Sequence, residues 1–301
     1  MDLVGALREK APGGASSIWL ALMPAVFVVL WSTGFVGAKF GLPHAEPFTF
    51  LLIRFVCVSA ILGAVAFAIG APWPSEPIQI GRTVAAGLMI HGLYLGGVFS
   101  AIAHGVPAGI TALIVGLQPL LTAAVSPFYL GERITRRQWL GLGLGFAGVI
   151  LVVVDKLGLG RGDLAGSAWA VAALLGITAG TLYQKRHGAS MHLCTGSAVQ
   201  FAACAAAYLP IALIFETMQV DWTGEFVFAL GWLTVVLSIG AISLLHLMIR
   251  RGAAARIASL FYLTPAVTAT FAWILFGETL GPAAIAGMAL TGAGVAMVSR
   301  A

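Results

Sequence analysis

Residues 119–149 read PLLTAAVSPFYLGERITRRQWLGLGLGFAGV, and residues 265–295 read PAVTATFAWILFGETLGPAAIAGMALTGAGV. Laid together without a gap, Pro119 on Pro265, they agree at ten of 31 positions. A composition this skewed gives roughly three by chance. The same shift of 146 residues sets Ser32 on Thr178, Gly34 on Gly180 and Lys39 on Lys185. The chain is therefore expected to hold two copies of one unit, over 17–154 and 165–299.

Working outward from that pair, the residues between are nearly free of charge. Of the 301 residues, 60% are hydrophobic and 9% charged, with mean hydropathy +1.00. An ordinary soluble domain carries about 25% charge. This excludes a soluble enzyme, a disordered chain and a disulfide scaffold, and leaves a polytopic membrane protein. A spanning helix needs about 20 apolar residues. The charge-free runs give ten spans, near 17–38, 47–70, 83–103, 107–130, 137–154, 165–184, 194–216, 226–249, 254–276 and 281–299. Backbone in lipid must satisfy its own hydrogen bonds, so these spans are helices, and the fold class is all-α. The run from 83 to 131 holds two of them, divided at His104-Gly105-Val106-Pro107, a turn signal.

The net charge of +5 does not point to nucleic acid, because the cations lie on one side. With both termini cytoplasmic, Arg8, Lys10, Arg82, Arg133, Arg136, Arg137, Lys185, Arg186, Arg250, Arg251, Arg256 and Arg300 fall inside. Only Lys39, Lys156 and Arg161 fall outside. This is the positive-inside bias of a membrane protein. The basic start before a long apolar run reads as an uncleaved first helix. Cys57, Cys194 and Cys204 have no metal-ligand spacing and read as small buried side chains.

Five helices per copy is an odd number, so the second copy enters the membrane from the opposite side. An inverted pair has two equivalent arrangements about a central site, one open inward and one outward. That is the construction of a secondary transporter.

Leu30-Trp31-Ser32-Thr33-Gly34-Phe35, followed by Lys39, Pro47 and Arg54-Phe55, resembles the opening of the EamA-type repeat. Pro119 to Gly131-Glu132 with the glycine-rich helix after it resembles the close of that repeat, and Pro265 to Gly277-Glu278 resembles it again. Over nearly its whole length the chain is thus similar to the ten-helix members of the drug/metabolite transporter superfamily. The resemblance implies a bacterial inner-membrane exporter of amino acids or similar metabolites, working by alternating access without a cofactor. It also implies a small-molecule substrate, lipid contact and a homodimer as the assembly to look for. Another solute class, such as a nucleotide precursor or a drug, is the alternative within transport. A membrane enzyme is the alternative outside it, disfavoured because an enzyme has no need of an inverted repeat. The second half departs from the pattern in carrying Gln200 where the first has Arg54.

Candidate substrate-binding residues follow from polarity at depth. Trp31, Ser32 and Phe35 on the first span face the expected cavity, with Thr178 and Thr181 on the sixth. His91 lies mid-span with Tyr94 one turn on; an imidazole there binds a carboxylate, relays a proton or is simply hydrogen-bonded. Gln118 precedes Pro119, and Tyr262 and Thr264 precede Pro265. Prolines interrupting equivalent helices of two repeats point to a midplane site, or else mark kinks stabilised by the neighbouring polar residue. Arg54, about 10 Å inside its span, is either functional or snorkels to the surface. Gly131-Glu132 and Gly277-Glu278 are expected to end one helix and cap the next. Gly141, Gly145, Gly148, Gly287 and Gly294 form small-residue packing stripes, as do Gly176 and Gly180. There is no G-x-x-x-x-G-K-[ST] phosphate loop. No acidic residue lies deep in a span, so the deep glutamate that smaller multidrug members use to exchange protons for cations is missing.

Overall fold

In the computed structural model, residues 15–130, 135–158, 164–187, 192–241, 244, 263–279 and 281–299 are described. They form α1 (Ala15–Gly41), α2 (Pro47–Ala68), α3 (Pro77–Ala103), a broken α4 (Ala108–Val115 and Gln118–Leu130) and α5 (Arg136–Gly158). The second half follows with α6 (Leu164–His187), α7 (Leu193–Phe215), α8 (Gly224–Ala241), α9 (Thr264–Phe276) and α10 (Pro282–Ser299). Seven of these stretches are long and apolar enough to cross a membrane, and two shorter apolar helices, Thr264–Phe276 and Pro282–Gly294, accompany them. Among the described residues the only β-type pairing is an isolated bridge, Ala45 with Val220. The protein is a polytopic all-α membrane protein.

Several helices outrun the apolar runs that announce them. The third span, expected from residue 83, begins at Pro77, because proline is well placed in a first helical turn and exposed Arg82 sits comfortably at the membrane edge. The fifth continues to Gly158, past Asp155 and Lys156.

Packing joins the two halves throughout. Helices α2 and α7 lie against each other, as do α5 and α10, and α4 and α9. Helix α3 packs on α6, and α8 packs on α1. Close approach at α5–α10 depends on glycine. A β-carbon at Gly148 would lie 2.5 Å from the Gly287 carbonyl oxygen, and one at Gly294 would lie 2.4 Å from that of Gly141. Gly176 and Gly180 do the same for α6 against α3, beside Tyr94 and Ile90. The packing reading of these stripes holds.

One edge of the bundle is clasped by polar side chains. The Glu216 carboxylate at the end of α7 accepts from the backbone N–H groups of Phe48 (2.8 Å) and Thr49 (2.6 Å), orphan donors of the first turn of α2. Glu46, at the start of α2, returns the contact by accepting from the Thr217 amide (2.6 Å) and hydroxyl (2.7 Å). Asp221 N–H donates to the His44 carbonyl (2.8 Å), and His44 meets Glu225 at 3.3 Å. At the opposite end of the same helix pair the Thr195 hydroxyl donates to the Pro72 carbonyl (2.9 Å). Helices α2 and α7 are thereby pinned at both ends.

Gly277 ends α9 in the left-handed region, at φ 65°, a conformation that glycine adopts without steric cost. Among the described residues, Glu278 makes its contacts away from the helix that follows it. It pairs with Lys39 at the end of α1 and accepts from the Ala108 amide at the start of α4 (3.4 Å). The turn thus ties the second half to two helices of the first. Its equivalent, Gly131-Glu132, lies outside the described residues.

Candidate functional site: a cavity between the two halves

The site begins with two local departures from α-helical geometry. Residues Leu88–Leu93 of α3 and Trp232–Ala241 of α8 are wound as π-helix, at positions that the 146-residue shift superposes. A π turn widens the helix and displaces side chains from their α-helical directions; such turns cluster at functional sites. Each is held by side chains that serve the rearranged backbone. In α3 the Tyr208 hydroxyl donates to the Gly92 carbonyl (2.8 Å), and the Cys204 thiol points at that of Gly87 (3.3 Å). In α8 the Ser238 hydroxyl donates five residues back, to Leu233 (3.0 Å).

Between these π turns lies a cavity of about 80 Å³, counted at the centres of the water molecules it would admit. α3 contributes Ile90, His91, Tyr94 and Phe99; α8 contributes Leu237 and Ser238. Trp31 and Phe35 come from α1, Arg54 from α2, Ile177 from α6 and Phe201 from α7. The wall is mostly aromatic and aliphatic, and both halves build it. His91 is stacked on Phe201, with centroids 4.1 Å apart, and its Nε2 lies 3.3 Å from Gln200 Oε1.

Arg54 does not snorkel. It is 3% exposed, and its Nη2 donates to Ser238 Oγ (3.1 Å). Since Ser238 spends its own proton on Leu233, its oxygen is free to accept from the guanidinium. Arg54 Nε is buried and has no hydrogen-bond partner among the described residues.

Of the residues expected to bind substrate, Trp31, Phe35, His91 and Tyr94 line this cavity. The other described candidates do not line it. Ser32 donates to Val28 (2.7 Å) and leans on the Thr264 carbonyl (3.4 Å) where α1 meets α9. Thr178 is buried and donates to Leu174 (2.7 Å). Gln118 donates to Thr181 (3.1 Å), which itself donates to Ile177 (2.6 Å). Thr264 is buried in the first turn of α9. Tyr262 lies outside the described residues. The proline-linked breaks are present, α4 interrupted at Gly116-Leu117 and α9 opening at Thr264-Pro265, but Gln118 and the Thr264 carbonyl beside them join helices, and the Thr264 hydroxyl is buried without a hydrogen-bond partner among the described residues.

Sequence reasoning missed Ser238, Phe201 and Gln200 as parts of the site. Ser238 and Arg54 are 184 residues apart, and nothing local marks them as partners. The one available signal was the repeat itself, which pairs Arg54 with Gln200. Among the described residues no group of three or more His, Cys, Asp or Glu side chains gathers to hold a metal.

A helical bundle of two like halves around a buried, aromatic-walled cavity defines a membrane transporter. The EamA-like transporter family matches residues 16–154 and 164–300, and the chain belongs to that family. A probable amino-acid metabolite efflux pump of Salmonella typhimurium is 28% identical over 282 residues, covering 89% of this chain and 90% of its own. A probable terminal-alkyne amino-acid exporter of Streptantibioticus cattleyicolor is 28% identical over 298 residues, covering 95% and 94%. A solved crystal structure shares the fold with a TM-score of 0.64 at 20% identity, over 92% of this chain and 96% of that one.

Proposed function

We propose that the protein is a secondary transporter of the bacterial inner membrane that exports amino acids or closely similar metabolites. Its two five-helix halves, 17–154 and 165–299, are inverted with respect to each other, and both termini are cytoplasmic. The cavity between the two π turns is the substrate site. The observation that carries this reading is the lining: aromatic and aliphatic side chains from both halves surround a few fixed polar groups. Such a wall suits a small solute with one apolar and one polar end, and the exporter names of two relatives agree with it.

Alternating access then amounts to rocking of the halves about this cavity. The clasp made by Glu46, Glu216, Lys39 and Glu278 holds one edge together. By the distribution of lysine and arginine, that edge is the outer one. Export requires the clasp to open, so its contacts are replaceable polar ones at the membrane edge, not packed core.

Counterflow in proteoliposomes loaded with a panel of unlabelled amino acids tests the reading. The expected result is accumulation of a labelled apolar or aromatic amino acid. Trp31→Ala and His91→Ala are expected to reduce it about tenfold, the loss of a well-buried contact of roughly 1.4 kcal/mol, at undiminished membrane abundance. Unchanged flux in both variants removes this cavity as the substrate site, and absence of accumulation for every amino acid removes the substrate class.

A further inference from the structure

We infer that Arg54 is the carboxylate receptor of the cavity, so that a free carboxylate is required of every substrate and organic cations are rejected. The inference rests on the cavity being the substrate site, and deepens it by naming the chemical group recognised.

The first observation is an uncompensated charge. Arg54 is 3% exposed in the cavity wall, among apolar and aromatic neighbours. A buried guanidinium is ordinarily paired with an acid or fully hydrogen-bonded. Among the described residues no acidic side chain is available here: Glu46, Glu76, Glu216, Asp221, Glu225 and Glu278 lie in loops or at helix ends. The acid nearest along α2 is Glu46, eight residues away and roughly 12 Å along the axis, and its carboxylate is engaged by Thr217.

The second observation is the unfilled hydrogen-bonding capacity. Ser238 takes one N–H of the guanidinium, through Nη2. Nε is buried and unpartnered among the described residues. A guanidinium presents its donors in a planar fork matched to the two oxygens of a carboxylate. Fixing Nη2 on Ser238 orients that fork, and Nε remains as the donor that a ligand oxygen completes. The ligand is thus an anion at this end. An α-amino acid docked so leaves its ammonium and side chain to the aromatic and aliphatic part of the wall.

The third observation is one-sidedness. The equivalent position in the second half is Gln200, whose oxygen is taken by His91 and whose amide lies 3.4 Å from Gln184. One cavity therefore has one anion-binding end, which fixes the orientation of an asymmetric solute.

The test uses the wild-type protein in proteoliposomes with labelled leucine and phenylalanine, each challenged by the unlabelled parent and by leucinamide or phenylalaninamide. The amides keep the ammonium and side chain and lack the carboxylate. The expected result is that the amides compete at least tenfold less well than the parents. Arg54→Gln is expected to lower flux at least tenfold, and Arg54→Lys to retain more of it. Thermal stabilisation of the purified protein by phenylalanine, but not by phenylalaninamide, is expected in the wild type and lost in Arg54→Gln. Equal competition by amide and parent overturns this inference and leaves the amino-acid reading standing. Wild-type flux in an Arg54→Gln protein of normal abundance also overturns it. Should that variant fail to accumulate, the amide comparison on the wild type decides. Movement of neither amino acid by the wild type overturns the amino-acid reading, and this inference with it.

Discussion

Positions 54 and 200 are equivalents in the two halves, and each reaches across to the π turn of the other half. Arg54 on α2 donates to Ser238 in the π turn of α8. Gln200 on α7 meets His91 in the π turn of α3. The geometry is duplicated and the chemistry is not: a guanidinium with a hydroxyl on one side, an amide with an imidazole on the other. On the proposed mechanism the backbone of the repeat stays alike in both halves, because interchange of the halves is what would make the two states nearly equal in energy. Side chains in the cavity are under no such constraint, since a solute with two different ends is better held by two different walls.

Making the two positions alike is expected to have the largest effect. Gln200→Arg adds a second buried cation with no acid to meet it, beside His91. An intramembrane charge costs about 2.5–3.5 kcal/mol on insertion scales, roughly two orders of magnitude in a folding equilibrium. Membrane abundance of this variant is expected to fall sharply on immunoblots against wild type. Normal abundance would mean that the second wall accepts a charge and that the halves are chemically interchangeable.

The scaffold should respond symmetrically where the cavity does not. Gly148→Ala and Gly294→Ala each place a methyl group within about 2.5 Å of a facing carbonyl oxygen, and overpacking of this kind costs about 1–3 kcal/mol. Both are expected to lower the unfolding midpoint in detergent by similar amounts. Gly143→Ala and Gly292→Ala meet nothing within 4 Å and should leave the midpoint unchanged. A large difference between the Gly148 and Gly294 variants would contradict the shared scaffold.

The π turns separate the halves by a smaller amount. Tyr208→Phe removes the hydroxyl that satisfies Gly92 in α3 and is expected to cost about 1 kcal/mol, with a several-fold drop in flux as His91 loses its setting. The equivalent residue in the first half is Leu62, so α8 has no such support to lose and depends on its own Ser238. Smallest of all, Gln118→Ala breaks the bond to Thr181 outside the cavity wall. Flux is expected to stay within twofold of wild type. A tenfold loss would return the proline break of α4 to the substrate path.

Most of the fold is legible in the sequence because the membrane imposes it. Charge-free runs of span length follow from hydrocarbon thickness and backbone hydrogen bonding, which act along the chain. Trp31, Phe35, His91 and Tyr94 stand out in the sequence as large aromatic or polar side chains at mid-span, and these four line the cavity. The π turn of α3 left no mark in its own segment, since Tyr208 and Cys204, which hold it, lie on α7; that of α8 is held by its own Ser238, which reads in sequence as any serine of a helix. Ser32, Thr178 and Thr181 looked like cavity residues by depth alone. A hydroxyl in a transmembrane helix satisfies itself on the carbonyl one turn back, as Ser32 does on Val28 and Thr178 on Leu174, and depth does not say which way it turns. The role of Glu278 was misread for a similar reason: its partners, Lys39 and Ala108, are distant in sequence and belong to the other half.

One cavity, built by both halves, is proposed to hold the solute and to be reached from each side of the membrane in turn. The most direct test of this proposal is thiol labelling of Ile90→Cys in a chain whose Cys57 and Cys194 have been replaced by alanine and whose Cys204 has been replaced by serine, which keeps a donor for the Gly87 carbonyl. A membrane-impermeant reagent is applied to right-side-out and to everted vesicles. The predicted result is modification from both faces, slowed from both by saturating phenylalanine. Modification from one face only, or labelling that phenylalanine does not slow, would contradict the account.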